Sequence, residues 1–258
     1  MPPGRTDRSD FAQHGIPYAV VRDVIQANCR TQFTADDFSF VVRVLAKSQR
    51  DAVSLVTLLS DEQERDAILD HDLIYNSVVD QAGCLQVSAA FYFYILTRRV
   101  LKRVALDERA LTDYVAAVLL AFSHINQIRA PGETSPTSRS FTYVSDLMAR
   151  VNTCPPEQAY VLRTHMANYT LFLSGMFVER VNAHAERRGA PGISFYEAVG
   201  QSTYLAVSRH PQAKRTEHQA IFEMLGNEFR RVRLALNNLA DTLLHLHVAP
   251  SILIRPPT

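Results

Sequence analysis

The sequence predicts an all-α protein: a compact multi-helix bundle, about nine to eleven helices by periodicity, arranged around one long buried helix. Three observations predict it. Only 9 of 258 residues are glycine, which suits helices joined by short connections better than a turn-rich sheet protein. No stretch alternates apolar and polar residues between turn signals, and no unit repeats at a fixed period. The segment from Pro156 to Gly189 carries no charged residue between Arg163 and Glu179. Within it Leu162, Met166, Tyr169, Leu173, Met176 and Phe177 recur at spacings of three and four, while Leu171, Phe172 and Val178 cover other faces. A helix apolar nearly all round needs neighbours on several sides. It is not expected to span a membrane, which takes roughly 20 apolar residues, because His165, Asn168 and Ser174 interrupt it.

In chain order, residues 1–15 are polar and read as a disordered segment. Pro17 suits the first position of a helix to about Cys29, with Val20, Val21, Val24 and Ile25 as its apolar face. Thr34 followed by Asp37 reads as a helix start before Phe38, Val41, Val42 and Leu45. Val53, Leu55, Val56 and Leu59 form the next stripe. Ser60-Asp-Glu-Gln63 reads as a capping box, with a break expected near His71 and an end at Gly83. Ser88 caps a helix holding Phe91-Tyr-Phe-Tyr-Ile-Leu96, assigned as helix despite the strand propensity of aromatics. Asp107 is expected to cap a helix through Tyr114, Val118 and Phe122. Residues 129–140 form a loop, a possible boundary between two subdomains within residues 16–247. A single helical domain is preferred there, because the central helix needs partners from both halves. A short helix from Phe141 to Val151 leads into the central one. Ser194-Phe-Tyr-Glu197 reads as another capping box, Pro211 as a break, and Thr216 to His245 as a last helix that Gly226 bends.

Composition narrows the function classes. A net charge of +1 leaves no overall field for nucleic acid, so nucleic-acid binding is not expected. The basic residues are mostly Arg, with Lys only at Lys47, Lys102 and Lys214, which reads as codon usage in a GC-rich bacterial genome. Cys29, Cys84 and Cys154 are odd in number and isolated, which fits a reducing cytoplasm rather than a disulfide framework or zinc site. Met1-Pro-Pro-Gly-Arg lacks the apolar core of a secretion signal. Paired Glu-x-x-His, H-E-x-x-H, G-x-S-x-G and P-loop patterns are missing, so no catalytic residue, metal ligand or cofactor is assigned.

Four groups remain as candidates. His165, with Asn168 and Tyr169 a turn on and Tyr94 from the aromatic helix, could line a small-molecule, haem or metal pocket, an arrangement that resembles haem-oxygenase-like folds. The plainer reading is a histidine that ties neighbouring helices together. Arg98, Arg99, Lys102 and Arg103 end the aromatic helix, where they complement its dipole or form a patch for an anion or an acidic partner; Arg230, Arg231 and Arg233 cluster similarly. Asp66-Ala-Ile-Leu-Asp70 resembles the aspartate-rich helices of isoprenoid synthases, implying magnesium held against a diphosphate. The second such motif departs from the family, since Asn237-Asn-Leu-Ala-Asp241 offers a single carboxylate, and a solvated acidic face is the plainer reading. In the tail, residues 248–258, Ile252, Leu253 and Ile254 should dock on the protein's own groove or on another subunit, since Pro250, Pro256 and Pro257 forbid a helix. The expectation is a cytoplasmic, non-catalytic interaction or assembly protein that self-associates; the competing class is the His165 pocket, possibly enzymatic.

Overall fold

A computed structural model describes residues 24–123 and 143–245. Among them the only regular structure is helical. After a 3-10 turn at Arg30–Gln32 come α1 (Ala35–Leu45), α2 (Gln49–Ser60), α3 (Glu62–Leu69), α4 (Asp72–Val79), α5 (Gln81–Cys84), α6 (Ala89–Arg103) and α7 (Arg109–Ser123). The second half holds α8 (Tyr143–Thr153), α9 (Pro156–Met176), α10 (Val178–Arg188), α11 (Ile193–Ser208), α12 (Pro211–Arg215), α13 (Gln219–Asn227) and α14 (Phe229–His245). The all-α expectation holds. The described helices outnumber the expected range because the central and last helices are each broken in two and α5 and α12 are single short turns.

Helix starts follow side-chain chemistry. Thr34 and Asp37 close a reciprocal capping box at α1. The same Asp37, fully buried, accepts the Ser88 amide at 2.6 Å and the Ser88 hydroxyl at 2.7 Å, while the Ser88 hydroxyl caps α6 by accepting the Phe91 amide. One carboxylate therefore fixes two helix starts against each other. At α3 the cap is Asp61, which accepts the Gln63 and Glu64 amides, whereas the Ser60 hydroxyl bonds back to the Val56 carbonyl. The expected break near His71 is present, with its imidazole capping α4 through the Leu73 amide. Asp107 does not cap α7, and Glu197 closes no capping box; both carboxylates pair with arginines instead.

The stretch from Val24 to Cys29, expected to end the first helix, is irregular. Long-range bonds take its polar groups: the Cys29 thiol donates to the Ala90 carbonyl at 3.2 Å, and the neighbouring Arg30 amide donates to Asp113 at 2.8 Å. The rest of that expected helix lies outside the described residues, as do segments 1–15, 129–140 and 248–258, with Ile252, Leu253 and Ile254.

Three helices are buried on all sides for much of their length: α6 from Ala90 to Arg98, α7 from Leu111 to Leu119, and α9 from Met166 to Met176. Helix α9 packs against α7, α8, α10, α11 and α14, and α6 packs against α4, α7 and α14, so contacts cross from one half of the chain to the other. Buried apolar residues from both halves form one cluster.

The central helix differs from expectation by ending at Met176. Phe177 leaves helical geometry (φ −133°, ψ 40°) and α10 begins anew. In an unbroken helix the Ser174 and Gly175 carbonyls would accept from Val178 and Glu179. Here Asn237 of α14 donates its side-chain amide to both, at 2.9 and 2.6 Å. Gly175 lets α14 come this close, since a Cβ there would lie 2.9 Å from Leu236. The last helix breaks similarly at Glu228, just after Gly226, which packs on Leu205.

Gly200 of α11 gives a test of this packing. A Cβ at that position would lie 2.2 Å from the Phe229 ring, which is fully buried. Gly200→Ala gains about 1 kcal/mol in helix propensity, against roughly 1–3 kcal/mol for overpacking a closed core. Since the overlap is with a ring that cannot pivot away freely, urea denaturation should show a net loss of about 1–2 kcal/mol; a stabilised variant would contradict the packing.

Candidate functional site

The polar interruption of α9 resolves into two unlike environments. Asn168 is buried, and its side-chain carbonyl accepts the Tyr114 hydroxyl of α7 at 2.9 Å and the Tyr204 hydroxyl of α11 at 2.7 Å. Both tyrosines are fully buried and aromatic-packed: Tyr114 against His218 and Phe222, Tyr204 against Phe222 and Phe229. Burial pushes both hydroxyls far above the usual tyrosine range, so they stay protonated donors. One acceptor oxygen satisfying two buried hydroxyls that could not be left bare is a structural tie. Three other polar residues of α9, Thr164, Thr170 and Ser174, are satisfied locally by backbone carbonyls three or four residues back.

His165, one turn before Tyr169, lies beside the Phe122 ring at 5.6 Å, with Tyr169 also against Phe122 at 6.1 Å. Burial holds the imidazole down to about 4, with the Arg150 charge adding to the effect, so it is neutral at pH 7. Tyr94 stands in a different cluster, edge-on to Phe33, near Asp66, Arg30, Arg98 and Asp113. The four expected pocket residues are thus divided among three settings: His165 with Tyr169, Asn168 with its tyrosines, and Tyr94 apart. No described group of three or more His, Cys, Asp or Glu side chains could hold a metal ion.

The second site is a seam of ion pairs between the α3–α4 corner and α6. Arg98, only 7% exposed, grips Asp70 with two parallel bonds of 2.9 and 3.0 Å and also pairs with Asp107. Lys102 reaches the same Asp70 at 2.7 Å, and Arg99 pairs with Asp72 at 2.5 Å. Burial raises the Asp70 carboxyl, but the hydrogen bonds and charges of Arg98 and Lys102 outweigh it and hold the group below the usual carboxylate range. Asp66 faces Arg109 at 2.7 Å and Arg30 at 3.5 Å. The basic run of α6 and the acidic run at 66–72, read separately in the sequence, are partners. Carboxylates already held by guanidinium and ammonium groups make an ion-pair network, not a magnesium site. Asn237, from the supposed second motif, is engaged with α9. The Arg230–Arg233 cluster is likewise paired, Arg233 to Glu197 at 2.7 Å and Arg231 to Glu228 at 2.8 Å.

Tyr204 and Tyr75 were not singled out in the sequence, and Tyr114 and Asp107 were read there only as a core residue and a helix cap. The one available signal was a tyrosine in the apolar stripe of α7, since a buried hydroxyl requires a partner. The fold class and these sites describe a helical protein in which Asn168, Asp37, Asp70 and Asn237 are each engaged by polar groups of other helices or their caps. Comparison with protein-family models, curated proteins and solved structures finds no match.

Two outcomes check this description. Asn168→Leu strands two buried hydroxyls and should cost about 2–4 kcal/mol. Adding Tyr114→Phe and Tyr204→Phe should recover part of the loss, whereas an independent binding role for Asn168 would make the three losses add. For His165, the unfolded imidazole (near 6.5) takes up a proton before the folded one. Stability therefore falls as pH drops from 7 toward 4, by at most about 3 kcal/mol. His165→Leu should flatten most of that slope in denaturant titrations, leaving the smaller part from His218, which burial also depresses.

Proposed function

We propose that this chain is a non-catalytic helical assembly protein that self-associates through α2. The carrying observation is the exposed apolar surface of that helix: Val53 is 62% and Val56 57% exposed on one face, and Leu58 is 41% exposed on another, although Leu59 of the same helix is buried. Helix α2 packs against α1 and α3. From Ala52 to Ser60 it carries no charge. Such a face meets a second copy of itself without like-charge repulsion and offers no charge to select a different partner, which suits a two-fold contact. The consumption of Asn168 by structural bonds, and of Asp66, Asp70 and Asp72 by arginine and lysine, supports a role without catalysis.

No described helix is long and apolar enough to cross a membrane, and none of Cys29, Cys84 and Cys154 is in a disulfide. The unpaired state of the cysteines supports a reducing compartment such as the cytoplasm. A haem or small-molecule pocket at His165 is the second reading, favoured by the neutral imidazole beside the Phe122 and Tyr169 rings. An absorbance spectrum of protein purified from its own host, with a Soret band or bound chromophore, would favour it.

Light scattering after gel filtration tests the assembly. The wild-type chain should run as a dimer or larger species, and Val53→Glu with Val56→Glu should run as a monomer with unchanged helicity. A wild-type monomer at about 100 μM would exclude an interface tighter than that concentration and defeat the proposal.

A further inference from the structure

Beside the ion-pair seam lies a cleft of about 190 Å³ between the α3–α4 corner and α6, with Asp70, Tyr75, Arg98, Arg99, Lys102 and Arg103 on its walls. We propose that this cleft binds a phosphate group, either as the free ion or as the phosphomonoester of a small molecule.

The charge balance favours an anion. Four cations come from one face of α6, and the carboxylates that answer them are three: Asp70, Asp72 and Asp107. Both Asp70 oxygens already accept from Arg98 and Lys102, so this carboxylate, though on the wall, has its charge matched. No described carboxylate pairs with Arg103. Its guanidinium lies 5.9 Å from the centre of the Tyr75 ring, and Arg99 lies 5.3 Å from the same ring. A tyrosine that holds two guanidinium groups orders them before any ligand arrives, which lowers the entropy cost of binding.

Donors also remain after the ion pairs form. Arg103, exposed and on the cleft wall, keeps its guanidinium donors. Lys102 has three donors, one of them on Asp70. Arginine forks suit tetrahedral oxyanions, and lysine adds a point charge. The cleft's volume far exceeds the space one water needs, leaving room for a phosphate and part of its substituent. This site shares no residue with the α2 face, so each can fail without the other.

The test uses the whole chain at constant ionic strength, titrated calorimetrically with inorganic phosphate and, separately, with glycerol 2-phosphate. Saturable binding is expected with Kd on the order of 1 mM or tighter, weakened about tenfold in Arg103→Gln. Arg103→Lys, which keeps the charge but loses the fork, should fall between the two. Arg103 is exposed, so both variants should melt as the wild type does without ligand. Tighter binding of glycerol 2-phosphate identifies a phosphomonoester site; equal or tighter binding of inorganic phosphate identifies the free ion. Absence of saturation by about 20 mM, a concentration well above that Kd, would overturn the proposal. Equal affinity in wild type and Arg103→Gln would overturn it too.

Discussion

One oxygen holds the interior of this protein in register. The side-chain carbonyl of Asn168 accepts from Tyr114 and Tyr204, joining α9 to α7 and α11 at a depth where no water can replace a lost bond. Apolar packing alone would let these helices rotate or slide at little cost, since hydrophobic attraction has no direction. A buried acceptor that must meet two hydroxyls permits one rotation and one height for each helix. Asn237 performs a related task at the other end of α9. It takes the Ser174 and Gly175 carbonyls that the helix break releases.

The first half of the chain is fastened by charge. Asp37 fixes the starts of α1 and α6 together, while Arg98 joins the α3–α4 corner to α6 and to the approach of α7. A largely buried arginine with a two-pronged carboxylate is costly to desolvate and costly to break. It contributes position more than net stability. The same arrangement leaves cations along α6 that the protein's own carboxylates do not fully neutralise.

Much of this architecture was legible in the sequence, and the limits have physical causes. The caps at Thr34 and Ser88 act within three residues, so local pattern found them. Periodicity marked α9 as buried because its apolar residues cover every face; α6 and α7 were legible as helices, and their burial shows only in the fold. The break at Phe177 was invisible, since it depends on an amide from Asn237, 60 residues on. The capping boxes at Ser60 and Ser194 were misread for different reasons: Ser60 bonds back to Val56 within α2 while Asp61 caps α3, and Glu197 goes to Arg233. His165 and Asn168 drew notice as polar residues in an apolar helix, but only the fold shows that one meets aromatic rings and the other two tyrosine hydroxyls. The α6 cations and the 66–72 carboxylates were each recognised, and their pairing required the folding of α3 and α4 back onto α6.

The central claim, that Asn168 is a structural tie and not part of an open site, is tested most directly by proton NMR of the tyrosine hydroxyls. The account predicts two hydroxyl protons, from Tyr114 and Tyr204, that exchange slowly enough with water to be observed at neutral pH and show nuclear Overhauser contacts to Asn168. Hydroxyl protons lost to fast exchange in the folded protein, with water reaching Asn168, would contradict it.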